Sequence, residues 1–168
     1  MRQVLIELCD LLNNQKDILN KLLELSLEEQ QILIKGQSDK LEAVVRLELK
    51  ELSKLGACER KRVKLCETIA TELGLQSEDI TISKIAENVT NEEKEVLVKL
   101  QTELLSLAGK HTELNSQNRE LVNSHMEYSN AIIELMTEPD DPLNNFYGDD
   151  GRETSNRKKS TGFYSGHA

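Results

Sequence analysis

The chain has 168 residues, with 3% aromatic residues and no tryptophan, so it is long enough for one domain whose core must be aliphatic, chiefly leucine. Against 21 basic residues stand 30 acidic ones, a net charge of -9, which argues against sequence-independent attraction to nucleic acid or to an anionic membrane surface. Cys9, Cys58 and Cys66 have no Cys-x-x-Cys spacing, and an odd number of thiols so placed suits a reduced, intracellular protein.

Glu7 and Asp10 interrupt the first apolar stretch and spoil both a secretory signal and a membrane span, so the expected location is the cytoplasm. The Asn88-Val89-Thr90 glycosylation triplet then has no role. Val4, Leu11, Ile18, Leu25 and Ile32 form an unbroken seven-residue repeat, flanked by Leu5, Leu8, Leu12, Leu19, Leu22 and Leu33. This predicts an amphipathic helix of about 33 residues that Gly36 ends, since glycine enters the left-handed region without a Cβ clash. Ser38 is the expected cap of a second helix over residues 39–73, stopped by Gly74. So short a connection makes the two helices antiparallel. Within the second helix, Arg60, Lys61, Arg62 and Lys64 lie between Glu59 and Glu67 and read as a solvated face.

Residues 74–88 are less regular, with turn or cap chemistry at Thr81, Ile82 and Ser83 and a short helix expected over residues 84–87. Thr90-Asn91-Glu92-Glu93 then matches a capping box, in which the threonine hydroxyl accepts from the third amide and Glu93 reaches back to the threonine amide. The third long helix starts there and runs to about Thr137, before Pro139. Its seam passes with 3-then-4 spacing through Leu97, Leu100, Leu104, Leu107, His111, Leu114, Asn118, Leu121, His125, Tyr128, Ile132 and Leu135. A helix of about 45 residues is roughly 70 Å long, too long for an ordinary compact domain. His111, Asn118 and His125 share one heptad position, where a polar residue sets register or partner number at some cost in stability. On that reading Asn118→Leu raises thermal stability and broadens the distribution of oligomers.

After Glu138 the composition changes: both prolines are there, and acidic residues from Glu138 to Asp150 precede basic ones from Arg152 to Lys159. Such a segment cannot bury enough apolar area to offset its ordering entropy. The expected organisation is an all-α chain: a coiled-coil-like bundle over 1–137, made of a long antiparallel hairpin and a third long helix, and a disordered, acidic-then-basic tail over 138–168.

Catalytic patterns are missing from the sequence. The Glu-x-x-His pairs of a di-iron bundle would need Glu before His111 and His125, but those positions hold Ala108 and Val122. There is no HExxH, no glycine-rich phosphate loop and no Gly-x-Ser-x-Gly elbow. No enzyme activity, cofactor or metal is expected.

Leu114-Asn115-Ser116-Gln117-Asn118-Arg119-Glu120-Leu121-Val122, on a late helix after a helical hairpin, precedes a tail with Phe146-Tyr147-Gly148-Asp149-Asp150-Gly151. The Leu-Asn-x-x-Asn-x-x-Leu and Tyr-Gly-x-x-Gly patterns, in this order and at this size and acidity, resemble the FlgN-type flagellar export chaperones. The resemblance implies a cytoplasmic type III export chaperone that binds the carboxy-terminal helical segments of hook-associated proteins. It would keep them soluble and deliver them to the cytoplasmic domain of the export gate. The client-binding candidates are then Leu114, Asn118, Leu121 and Val122 with Tyr128, Ile132, Ile133, Leu135 and Met136, the last five crowded into fewer than three turns. Tyr147 and Gly148 are the docking candidates for the gate, with Tyr164 a competing ring.

The alternative is a structural coiled-coil homo-oligomer or a helical adaptor with no export role. A self-pairing protein should carry complementary charges beside its seam and has little need of a tail with clustered rings.

Overall fold

A computed structural model describes residues 2–74 and 80–137. Four helices follow one another: α1 (Arg2–Ile34), α2 (Ser38–Leu73), α3 (Ile82–Glu87) and α4 (Asn91–Thr137). No strand occurs among the described residues, and none of the helices is long and apolar enough to cross a membrane. The all-α class and the three long helices match the sequence reading. The chain divides into two units, Met1–Met126 and Glu127–Ala168; of the second, residues 127–137 are described, and they are the end of α4. The expected tail over 138–168 lies outside the described residues.

Gly36 closes α1 at φ 64°. The amide of Gln37 donates to the Ile32 carbonyl and that of Gly36 to the Leu33 carbonyl, the paired bonds of a left-handed helix stop. This motif corrects one expectation: Ser38 is not a cap but the first residue of α2. Gln37 is the cap instead, and its side chain makes no capping bond; its Oε1 accepts from Lys40 Nζ at 3.1 Å. Gly74 ends α2 in the left-handed region at φ 68°, as expected. The short helix begins two residues earlier than the sequence indicated, because Thr81 caps it by accepting from the Lys84 amide at 3.3 Å. At α4 the capping box is complete: the Thr90 amide donates to Glu93 Oε2 at 3.0 Å and the Glu93 amide to Thr90 Oγ1 at 3.4 Å.

In the first unit α1 lies between α2 and α4. Asn14 and Gln15 meet Cys58 and Glu59, whereas Ser26 further along meets Glu48, so the partner number is lower at the later level and the pair is antiparallel. Toward α4 it rises: Lys16 meets Glu103 and Gln30 meets Gln117, each 87 residues apart. The two helices are therefore parallel and hold one register for several turns. At one end Leu5, Leu8 and Leu12 of α1 pack with Cys66 and Ile69 of α2, Ile85 of α3 and Leu97 of α4. A middle cluster joins Ile18, Leu19 and Leu22 to Cys58, and a last one joins Leu25 and Ile32 to Val44.

Leu22 is fully buried whereas Leu27 is 53% exposed on the same helix. Leu22→Ala is expected to lower the free energy of urea unfolding by about 2–5 kcal/mol through lost burial and a residual cavity. Leu27→Ala should stay within about 0.5 kcal/mol of the parent.

Candidate helical interaction site

The seam of α4 divides into two stretches. Leu97, Leu100, Leu114 and Asn118 are buried, Leu104, Leu107, His111 and Leu121 are half-buried, and from His125 onward every side chain as far as Met136 is exposed. Of the candidate residues, Leu114 and Asn118 therefore belong to the packing of the first unit. Leu121 and Val122 stand at its margin. Tyr128 is 70% exposed, Ile132 37%, Ile133 58%, Leu135 77% and Met136 81%. These five fall within three turns of one helix and make a contiguous apolar surface, the kind that marks an interaction site. Tyr147 and Gly148 lie outside the described residues.

Asn118 has a definite partner. Its Nδ2 donates to the Ser26 carbonyl at 2.8 Å and to Glu29 Oε2 at 2.7 Å. Ser26, wholly buried, donates from Oγ to Glu48 Oε1 at 2.8 Å and lies 3.4 Å from Asn115 Oδ1. One serine thus joins α1 to both α2 and α4. The layer is not fully satisfied, since Asn118 Oδ1 is buried without a hydrogen-bond partner among the described residues. Burial, and then the charge of Glu29, push the Glu48 carboxyl above its ordinary pKa, while the Ser26 hydroxyl pulls the other way. His111, half-buried on the same seam, has its pKa lowered by burial.

Sequence reasoning placed Asn118 on the seam but missed Ser26, Glu29 and Glu48. A signal was present: Leu12, Gln15, Leu19, Leu22, Ser26, Glu29 and Leu33 follow 3-then-4 spacing. A serine and a glutamate inside an apolar stripe ask for polar partners on the helices opposite. Among the described residues no group of three or more His, Cys, Asp or Glu side chains could hold a metal ion.

An all-helical protein with a long apolar surface at one helix end is what these observations describe. A family model described as FlgN protein matches residues 1–155. The chain belongs to the FlgN family, whose members are chaperones of flagellar export. No curated protein and no solved structure matches it.

Two outcomes follow from the polar layer. Because Asn118 serves a buried carbonyl and carboxylate rather than another copy, Asn118→Leu should lower stability by on the order of 1–3 kcal/mol in urea titrations. That is opposite in sign to the change its heptad position alone indicates. For Glu48, a folded-state pKa raised above the unfolded one means that its contribution is most favourable below the unfolded pKa and is lost as pH rises through the folded value. Glu48→Gln, which stays neutral, should therefore raise Tm at about pH 7, and the gain should shrink as pH falls toward the carboxylate range near about 4.

Proposed function

We propose that this protein is a cytoplasmic export chaperone that binds the carboxy-terminal helical segments of hook-associated flagellar proteins and delivers them to the cytoplasmic domain of the export gate. The observation that carries this reading is the exposed apolar surface of Tyr128, Ile132, Ile133, Leu135 and Met136 on α4. An unpartnered amphipathic client helix exposes an apolar stripe and self-associates; a second apolar helical surface that covers the stripe keeps it in solution. Leu121 and Val122, half-buried on α4, are proposed as further client contacts, while Leu114 and Asn118, buried in the first unit, hold α4 in place there. Holding of this kind requires no nucleotide and no covalent chemistry, so the role assigned is binding rather than catalysis.

Delivery is assigned to the tail. Tyr147, followed by Gly148 and Gly151, offers one ring in a sequence able to turn tightly around it, and it is proposed as the contact with the gate.

Ile132→Asp combined with Leu135→Asp is expected to leave far-UV helicity near that of the parent and to abolish client binding in calorimetric titration. Loss of the whole fold would instead make these side chains core residues. Truncation after Thr137, or Tyr147→Ala alone, should preserve client affinity while weakening pull-down of the gate domain and reducing motility, with Tyr164→Ala as the control ring. A truncated chain that no longer holds its client would refute this division of labour.

A further inference from the structure

The first unit has a place for a fourth helix and fills only part of it. At one end α3 is seated on α2 and α4: Ile82, Ile85 and Ala86 are buried with Leu8, Cys66, Ile69 and Leu97, and Ser83 hydrogen-bonds Gln101. Seven-residue steps lead from Cys66 to Glu59 and Leu52 on α2, and from Leu97 and Gln101 to Leu104 and Ala108 on α4. The two faces that seat α3 therefore run on beyond it. There they join Leu55, Gly56 and Leu105, with buried Gln15 and Leu19 of α1 as the floor, around a volume of about 460 Å³. Because α3 is only six residues long, this trough is left uncovered, and Leu49, Leu52, Val63, Val98 and Leu105 are exposed along its walls and rim.

The walls decide what can lie there. They are helices whose amides and carbonyls are already bonded, so an extended chain would find no edge to pair with and would bury its own polar groups unpaired. A helix satisfies its backbone internally, as α3 does at the occupied end. The middle also permits close approach: a methyl group on Gly56 would come no closer than 3.7 Å to its neighbour, the Arg60 guanidinium, and small Ala108 lines the opposite wall. Charge narrows the choice further. On a chain of net charge -9, the α4 face through Leu105, Ala108, Thr112, Asn115 and Arg119 carries no acid. On the α2 face, Glu59 is held by Arg62 and Gln15. Arg60 and Arg119 make no ion pair among the described residues. Ser26 bonds Glu48 and approaches Asn115, which sets the Leu49 end of the trough level with Asn115, and Arg119 stands one turn further on. The two guanidiniums are thus roughly 24 Å apart along the axis.

The geometry points to a second interaction site, in the first unit: the trough seats an amphipathic helix of a partner protein, about four turns long to match the wall from Val63 to Leu49, apolar on one face and flanked by carboxylates. It continues the line of α3, whose Ile82, Ile85 and Ala86 show which side chains the faces accept. The tail of the chain itself does not offer such a helix. Pro139, Pro142, Gly148 and Gly151 interrupt its acidic part, and residues 152–161 are polar and basic. The site is separate from the exposed end of α4 and does not depend on what binds there.

Fluorescence anisotropy of synthetic helical peptides titrated with the full chain tests the site. The probe is a peptide of about 16 residues with isoleucine and alanine in the i, i+3, i+4 pattern of α3 and glutamates on both flanks; its control has lysines in place of the glutamates. At low salt the acidic probe is expected to bind about tenfold or more tightly than the control. Arg60→Glu with Arg119→Glu should reverse that preference. Gly56→Met, which fills the middle of the trough and favours the helix, should weaken the acidic probe about tenfold or more. Circular dichroism of both variants confirms folding. A photo-crosslinking phenylalanine analogue at the centre of the probe should attach to peptides of the chain that contain Leu52 or Leu105. No binding, equal affinity for the two peptides, or crosslinks confined to residues 128–136 would overturn the site. Sedimentation equilibrium should give the same mass for the parent and for Gly56→Met. A parent dimer that Gly56→Met dissolves would make a second copy the occupant and overturn the partner helix.

Discussion

A single helix, α1, has to satisfy two long neighbours at once, and the arrangement of the first unit follows from how it does so. Its leucines serve both sides along most of its length, but leucine contacts alone tolerate slippage, since a heptad shift replaces one leucine by another. The buried Ser26 layer does not. Were α4 to slip by seven residues toward the start of α1, the Asn118 amide would exchange the Ser26 carbonyl for that of Leu19 but lose the Glu29 carboxylate, which Leu22 cannot replace. A hydrogen bond to a charged group is worth on the order of 1.5–3 kcal/mol, comparable to a buried leucine. The parallel register of α1 and α4 is thereby fixed at one level and carried along the pair by the leucines.

That specificity has a cost which the same residues reveal. Asn118 Oδ1 has no partner among the described residues, and Glu48 sits where burial and the charge of Glu29 both oppose its ionisation. Replacing buried polar groups by apolar ones of like shape is often neutral or stabilising, so an apolar layer here could hold the helices at least as tightly. It would also let them slide. By contrast the Lys16 and Glu103 pair, with about a third of each side chain exposed, is of the kind whose measured worth is small, and it follows the register without deciding it.

The parts of this fold legible in the sequence are those encoded locally. Thr90 and Glu93 identify the start of α4 because both halves of the box lie within one turn, and Gly36 and Gly74 mark stops because few other residues tolerate a positive φ. Ser38 misled for the same local reason: a serine near a helix start looks like a cap until the preceding turn is known to use Gln37. The direction of α4 relative to α1 was not legible, since a seam is equally apolar read either way. Nor was the site settled by periodicity. The seam runs unbroken from Leu97 to Leu135, yet burial ends near Leu121, because a repeating pattern states that a face is apolar and leaves open what covers it.

The composition of the exposed end bears on how such a surface can be used. Aliphatic side chains flanked by acids, with one tyrosine, give up about 1.5–3 kcal/mol each when fully covered, whereas association costs an estimated 4–15 kcal/mol in lost freedom before any net affinity appears. Five such residues therefore bring a partner helix near the balance point rather than far past it. Tryptophan, with its larger buried area and indole donor, would anchor the contact more firmly, and the chain has none. A surface poised in this way can exchange one amphipathic helix for another on small differences in charge and contact. That is what a protein must do if it holds a helix for a time and then gives it up without consuming a nucleotide.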